Sequence, residues 1–583
     1  MNSMNRLQHF ILDPVSKRPL MFLLLTLLFF VPGWLYCWNI YGEYYPLSRL
    51  VGWLLFITAM PALMAWACCF IKWRIVRGLI YMATVSLFAI NIFLTLNFDT
   101  MISPWILLLI HETNGNESSE FLSTYALSTP SIVTYGLTLL SVVLIVIGEK
   151  MGRSITIKRP RLMLFPFIFW LAVGVWQAVL VIMMFFASTQ SQLQSWYEGK
   201  AFYCIENTPA NLLYSFYHLH LTNHENDAAW EASEKVFQST VTRDEKDTLD
   251  VVLIIGESYN KYHASIYGYY LDTTPTMREQ QKRGNLFVFQ DAVSPYNMTT
   301  LAVKNMLSTN SISLHQSWEE HPLVMTIFRK AEFDVAMWDN QKSENNVLFH
   351  DFSNNSLLYG KKMVESTYHH LNNAPFDYDQ QLVDTALTVK RKPGSTLTVF
   401  HLMGQHTAPI WRYPENDENA IYTADSIQRN DLNDYQRQYI AEYDNATRYN
   451  DHVIGSIIQY YSQRNAVILY LSDHGDEVYD YRDVVGRTHE PVKQKQALKY
   501  QYEIPMVLWC SDQFIQRHPN TMQNIHRAIL RPFSSDNVPQ LLMGLSNIHS
   551  SFYEPKKDVL SNQYHCGKRI VQNTTDYDTV MKQ

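Results

Sequence analysis

The stretch LYLSDHGDEVYD, residues 469–480, ends an apolar run in Asp473, His474, Gly475, Asp476 and Glu477. An adjacent carboxylate and imidazole are metal-ligand types, and the glycine is expected to let the backbone turn tightly behind them. A strand followed by a polar turn has the same composition, so the triplet needs partners elsewhere. Glu257 ends the run LDVVLIIGES, and His406 closes STLTVFHLMGQH. Two carboxylates and an imidazole, Glu257, Asp473 and His474, suit Zn²⁺ with a fourth position open to a reactive group. Carboxylate-rich sites also accept Mn²⁺ or Mg²⁺. In SPYNMTTLAVKNML, Thr299 and Thr300 stand at the start of a helical stretch. Threonine there is commonly a cap. A hydroxyl bound to a metal at a helix N-terminus is also an activated nucleophile, because both positive charges favour the alkoxide or a phosphorylated oxygen.

These residues need elements to bring them together. LDVVLIIGES, STLTVFHLMGQH, NAVILYLSDHGDE and YEIPMVLWCSD are strand-like and apolar on both faces. Helical segments such as NDYQRQYIAEYDNATRYNDHVIGSIIQYYSQ separate them. The pattern predicts an α/β domain over residues 248–583, with a mainly parallel sheet covered by helices on both sides. In such a fold the ligand site lies beyond the carboxyl ends of the strands, where Glu257, His406 and Asp473–His474 fall. Residues 191–247 read as a polar, partly helical linker.

The chain has 583 residues, too many for one compact domain, and its first 190 are dominated by apolar runs. Five stretches reach the roughly 20 residues needed to cross a bilayer: Pro19–Gly42, Leu50–Ile71, Gly78–Phe98, Phe121–Gly148 and Leu162–Ala187. Basic residues cluster before the first (Arg6, Lys17, Arg18), between the second and third (Lys72, Arg74, Arg77), and between the fourth and fifth (Lys150, Arg153, Lys158, Arg159, Arg161). Positive loops stay cytoplasmic, so the C-terminal half is expected outside, which in a Gram-negative cell is the periplasm. MISPWILLLIH, residues 101–111, is too short to span and reads as an interfacial or re-entrant helix. The acidic segment after it carries Glu112, Asn114 and Glu120. A net charge of -7 gives no footing for a nucleic-acid partner. Outside the apolar runs lie Cys204, Cys510 and Cys566, enough for one disulfide with a thiol left over.

Taken in order, the five spans, ETNGNESSEFLS, LIIGESYNKYHASIYGYYLDTTPTM, FHLMGQHTAPIWRYPE, YDNATRYNDHVIGSII and LYLSDHGDEVYD resemble the membrane-bound phosphoethanolamine transferases over nearly the whole chain. The resemblance implies a catalytic domain of the alkaline-phosphatase/sulfatase fold behind an N-terminal five-helix transmembrane domain. It implies an inner-membrane enzyme with phosphatidylethanolamine as donor, and a zinc site of one or two ions held by Glu257, Asp473 and His474 with Thr299 as a further ligand. It also implies a threonine that becomes phosphoethanolaminated. That threonine is Thr299, with Thr300 as rival, because SPYNMTT fits with or without a one-residue shift. His406 matches a histidine that contacts the phosphate or the acceptor, and His401 opens the same motif from within the strand. The family's further histidine has its nearest counterpart in His489. Glu112, Asn114 and Glu120 are expected near the ethanolamine headgroup. Three cysteines cannot supply the several disulfides of many relatives, which places the chain on a disulfide-poor branch. The acceptor expected by analogy is lipopolysaccharide, through lipid A or core, with periplasmic glucans as another choice. A phosphoglycerol transferase using phosphatidylglycerol is the alternative with the same chemistry. A sulfatase would need a Cys or Ser for formylglycine, and no Cys lies near Thr299. A non-catalytic membrane scaffold would have no reason to keep Glu257, Thr299, Asp473 and His474 together.

Overall fold

The structure is a computed structural model. It describes residues 3–41, 56–98, 100–104, 106–107, 126–151, 160–189, 192–193, 196, 208–243, 247–341, 357–406, 408–482, 485–487 and 494–582. The chain divides into two compact units, Met1–His224 and a second formed by Glu225–Glu344 with Asp351–Gln583.

The first unit is helical: α1 Ser3–Lys17, α2 Pro19–Tyr41, α3 Ala59–Cys69, α4 Arg74–Phe98, α5 Thr129–Met151 and α6 Pro160–Met183. Among the described residues, four stretches are long and apolar enough to cross a membrane: Pro19–Trp38, Arg74–Asn97, Thr129–Lys150 and Leu162–Phe186. The expected span Leu50–Ile71 is described only from residue 56, where it forms the 11-residue α3. An apolar helix surface offers few polar partners, so the polar groups present pair with one another. Gln177 of α6 donates from Nε2 to Phe56 O and accepts at Oε1 from Met60 N, pinning the start of α3. Arg77 of α4 pairs with Glu149 of α5 at 2.7 Å, and Tyr81 donates to the same carboxylate. Of the expected interfacial segment 101–111, the described residues fold back on α4, with Ile102 N donating to Asn91 Oδ1. Leu94, Ile102 and Ile106 form one buried cluster. The helix α7, Thr208–Gln238, occupies most of the stretch read as a linker.

The second unit is built on a seven-stranded sheet. Its strands are β1 Asp250–Gly256, β2 Leu286–Phe289, β3 Asp334–Asp339, β4 His370–Leu371, β5 Thr396–His401, β6 Ala466–Ser472 and β7 Met506–Cys510. The order across the sheet is β2-β7-β6-β1-β5-β3-β4. β6, β1, β5, β3 and β4 are mutually parallel, whereas β7 runs antiparallel to both β6 and β2. The mainly parallel sheet read from sequence is present. The direction of β7 was not readable, because a strand buried on both faces has the same apolar pattern either way.

Alternation along β1 explains its uninterrupted apolar run. Val251, Leu253 and Ile255 enter one core with Val303, Met306 and Leu307 of the helix α8, Thr299–Leu307. Val252 and Ile254 enter the opposite core with Ala446, Val453, Ile454 and Ile457 of α9, Asp434–Tyr461. Each such Val, Leu, Ile or Met side chain contributes roughly 1.5–3 kcal/mol by leaving water. α8 is further tied by Lys304, fully buried, whose Nζ lies 3.8 Å from Glu225 Oε2 on α7 and 4.6 Å from the Trp318 ring centroid.

α9 also grips the loop after β1. His263 Nδ1 lies 2.7 Å from Asp444 Oδ1, its Nε2 lies 3.6 Å from Asp480 Oδ1, and Tyr269 donates to Asp444 Oδ2. The rings of Tyr269 and Tyr443 flank the imidazole. Burial pushes His263 down, but Asp444 and Asp480 outweigh it and raise the imidazole from 6.5 to about 10. Burial also raises Asp444 against the pull of His263. Both shifts favour the protonated pair in the folded state. The contribution of His263 is therefore complete below pH 6.5 and lost as pH rises through about 10. Across that window, His263→Gln is expected to flatten the fall of the thermal midpoint with pH. Equal slopes in the two proteins would mean that the pair carries none of this dependence.

Candidate active site

β5, β1 and β6 are parallel neighbours in register, with Ile255 opposite His401 and Gly256 opposite Ser472. Their carboxyl ends therefore stop at one level, and the residues just beyond them meet. Glu257, Asp473 and His474 are all fully buried, and one ligand atom from each lies within 4.8 Å of the others. His474 Nε2 is 3.0 Å from Asp473 Oδ2 and 3.4 Å from Glu257 Oε1. His474 Nδ1 lies 2.8 Å from Gly475 O, which suits an N–H donor there and a lone pair on Nε2.

Thr299 completes this group. Its Oγ1 donates to Glu257 Oε2 at 3.0 Å and lies 3.3 Å from His474 Nε2. The cap expected of a threonine is not its role. Met298 is the N-cap of α8 and makes no side-chain cap bond, and Thr299 is the first helical residue. Its hydroxyl is directed across to the end of β1 instead.

Two buried carboxylates close together need compensating cations or protons. Burial pushes Glu257 up, but the charges of His474, His406 and Arg487 hold it well below the usual carboxylate range. Burial and the charge of Glu257 raise Asp473. Burial and Arg487 push His474 down, while Asp473 and Glu257 raise it to about 9. A metal ion and a proton compete for Nε2 in such a site. Asp473 Oδ2 is a buried acceptor with no hydrogen-bond partner among the described residues. An orphan oxygen 3.0 Å from an imidazole nitrogen, beside a second carboxylate, fits a divalent cation. No other group of three such ligand residues forms among the described residues.

The backbone that holds these three side chains is tightly constrained. Ser258 has φ +54°, an uncommon conformation for a residue with a Cβ. It donates from N to Asp473 Oδ1 and from Oγ to Glu257 Oε1, and its carbonyl accepts from Tyr443 of α9. Gly404 has φ +50°, and a Cβ there would sit 2.9 Å from Glu257 N. The loop bearing His406 can therefore approach Glu257 only with glycine at 404. Gly475 differs from the expectation of a special turn conformation. Its φ is not positive, and it is required because a Cβ would collide with Tyr500 O.

The sequence-predicted residues divide as follows. Glu257, Thr299, Asp473 and His474 converge. His406 is half-buried, and its charge acts on Glu257. His401 is buried at the end of β5, with Nδ1 3.0 Å from Asp339 Oδ1. His489, Glu112, Asn114 and Glu120 lie outside the described residues, as does Cys204, while Cys510 and Cys566 are free thiols. Sequence reasoning passed over Ser258, Gln341 and Arg487. Arg487 follows a two-residue strand, Val485–Gly486, which pairs with Glu477–Val478 and returns the chain to the site. Its Nη1 touches the ring of His474, 3.8 Å from Glu257 Oε1. Its place in GRTHEP beside His489 was the available signal.

The sulfatase family profile matches residues 250–548. The chain is similar to the phosphoethanolamine transferase EptC of Escherichia coli strain K12, 26% identical over 349 residues and covering 57% of each chain. It is also similar to the Kdo(2)-lipid A phosphoethanolamine 7''-transferase of that strain, 27% identical over 284 residues, covering 47% of this chain and 46% of that one. The chain thus spans about half the length of the curated relatives it matches. The crystal structure of the C-terminal periplasmic domain of EcEptC from E. coli has the same fold, with a TM-score of 0.50 at 24% identity. That match covers 58% of this chain and 96% of the domain.

Proposed function

The chain belongs to the sulfatase family, and on that premise we propose that it is a membrane enzyme transferring phosphoethanolamine from phosphatidylethanolamine to a cell-envelope acceptor. The observation that carries this reading is the hydroxyl of Thr299, set against Glu257 and His474 inside a metal-ligand triad. The names of the relatives support the transferred group, and one of them supports a lipid A acceptor. Lipopolysaccharide is accordingly the acceptor proposed here.

In the first step Thr299 Oγ1, having released its proton to solvent, attacks the phosphorus of the donor. The new bond is Oγ1–P, and the bond to the diacylglycerol oxygen breaks. Glu257 Oε2, which already accepts the hydroxyl hydrogen bond, orients the attacking lone pair. Glu257, Asp473 and His474 would hold a divalent cation, zinc by preference, which would supply Lewis-acid polarisation and a lowered hydroxyl pKa. His406 faces the charge on the non-bridging oxygens, and a histidine, His406 or His489, protonates the leaving oxygen. In the second step an acceptor hydroxyl or phosphate oxygen, giving any proton it carries to the histidine that protonated the first leaving oxygen, attacks the same phosphorus, and Oγ1–P breaks to return Thr299 to its starting form. Glu112, Asn114 and Glu120 are assigned to the ethanolamine ammonium, which a carboxylate pairs with directly.

The domain assignment follows this scheme. Residues 1–190 form the membrane domain, 191–247 the connection and 248–583 the catalytic domain, on the periplasmic side of a Gram-negative inner membrane. Anchoring the site beside its lipid donor makes the encounter effectively intramolecular. The test is peptide mass spectrometry of the protein purified from its native membrane. A phosphoethanolamine adduct on Thr299 is expected. The adduct on Thr300 would move the nucleophile by one residue, and a phosphoglycerol adduct would replace the donor by phosphatidylglycerol. Two bare threonines in protein that holds metal and has been supplied with phosphatidylethanolamine would count against covalent transfer.

A further inference from the structure

A fourth parallel strand, β3, ends beside β5, and the residues after it face the site from the side away from His474. Gln341 Nε2 lies 3.0 Å from Glu257 Oε2 and 2.9 Å from Leu402 O. Both partners are acceptors, so the amide can be placed only one way round, with both of its N–H bonds used. The backbone of Gln341 is held as firmly, since its N–H donates to Asp339 Oδ1 at 2.7 Å. Asp339 is itself buried, accepts from Tyr359 Oη at Oδ2, and lies 3.0 Å from His401 Nδ1. Asn372 takes the Asp339 backbone at both ends, accepting from its N–H and donating to its carbonyl. The amide nitrogen therefore stands on a fixed shelf at the end of β3.

Glu257 Oε2 receives two donors, Thr299 Oγ1 and Gln341 Nε2, while Oε1 receives Ser258 Oγ and faces His474. The carboxylate can rotate about its last bond unless both oxygens are tied. Ser258 ties one, and Gln341 ties the other. Thr299 loses its hydrogen when it becomes the nucleophile, so at that moment Gln341 is the remaining donor on Oε2. A neutral amide does this without adding charge to a triad whose balance depends on its net charge, which a lysine or a carboxylate in its place would change.

We propose that Gln341 is the positioning residue for the metal-ligand carboxylate of Glu257, fixing its plane so that one oxygen faces the metal position and the other faces Thr299. This rests on the metal site of the proposed function, and it assigns Gln341 no contact with substrate. Outer-shell partners of this kind are worth about 10–100-fold in metal affinity.

The test measures zinc affinity by competition with a chromophoric chelator, using the full-length protein in detergent, for wild type and Gln341→Met. The substitution keeps the side-chain length and removes both N–H donors. Zinc affinity is expected to fall about 10–100-fold, with the thermal midpoint in excess chelator unchanged, and transfer activity is expected to recover as zinc is raised. Tyr359→Phe loosens the shelf without removing the donor and is expected to give a smaller loss of affinity, so the reading survives even if Gln341→Met fails to fold. Unchanged zinc affinity in Gln341→Met overturns the proposal. So does a variant whose chelated midpoint drops while its folded fraction binds zinc as wild type does, because that is a merely structural role. Wild-type protein that binds no zinc overturns the metal site and this inference with it. Zinc binding that depends on Gln341 in a protein that transfers no phosphoethanolamine sinks only the donor assignment.

Discussion

Thr299→Ala is expected to lower transfer by on the order of 10⁴-fold or more and to abolish the covalent adduct, leaving the fold intact. The size follows from the proposed chemistry, because without Oγ1 the covalent intermediate would not form and the acceptor would have to attack the donor directly. The small effect on stability follows from the structure. Thr299 is the first residue of α8 and not its cap, and alanine is at least as good a helix former. The hydrogen bond to the charged Glu257 is the main loss, about 1.5–3 kcal/mol. Thr299→Ser keeps the hydroxyl and is expected to retain both the adduct and a measurable fraction of the activity. The measurement is paired turnover and intact-peptide mass. Full activity in Thr299→Ala, together with loss of activity in Thr300→Ala, would transfer the role to Thr300.

Asp473→Asn is expected to have the second largest effect, and it separates metal binding from folding. Asp473 Oδ1 accepts from Ser258 N at 3.1 Å and from His474 N at 2.7 Å, and the side-chain carbonyl of asparagine can take over both bonds. Only the orphan Oδ2 is replaced, by an NH₂ that cannot ligate a cation. Zinc at about 1,000 times its dissociation constant stabilises a folded site by about 4 kcal/mol through mass action. In wild type this is expected as a rise of the thermal midpoint on adding zinc and a fall on chelation. In Asp473→Asn the zinc-induced rise is expected to disappear, with activity lost in parallel and the chelated midpoint close to that of wild type. A zinc-induced shift of undiminished size would remove Asp473 from the ligand set.

Much of the site was legible because it depends on local pattern. A strand buried on both faces needs an uninterrupted apolar run, so the abrupt appearance of Glu257 and of Asp473–His474 marks the strand ends without any knowledge of pairing. Thr299 was legible for a similar reason, since LAVKNML announces a helix and the residues before it stand at its N-terminus. The apolar helices of the first unit are likewise a matter of length and composition.

What only the tertiary structure decided is which strand ends share a point and what surrounds the carboxylates and imidazole there. Strand order places β5, β1 and β6 side by side, turning three separate polar clusters into one site. The same order brings in β3, and with it Gln341 and the Asp339–His401 pair, which no local pattern links to Glu257. Arg487 reaches His474 only because a short hairpin folds back on itself. The positive φ of Ser258, the antiparallel run of β7 and the close approach that requires glycine at 475 each depend on neighbours far away in sequence. Composition and periodicity report what a segment buries. The pairing partner, and so the geometry of the site, is chosen by hydrogen bonds and packing between segments that local pattern does not encode.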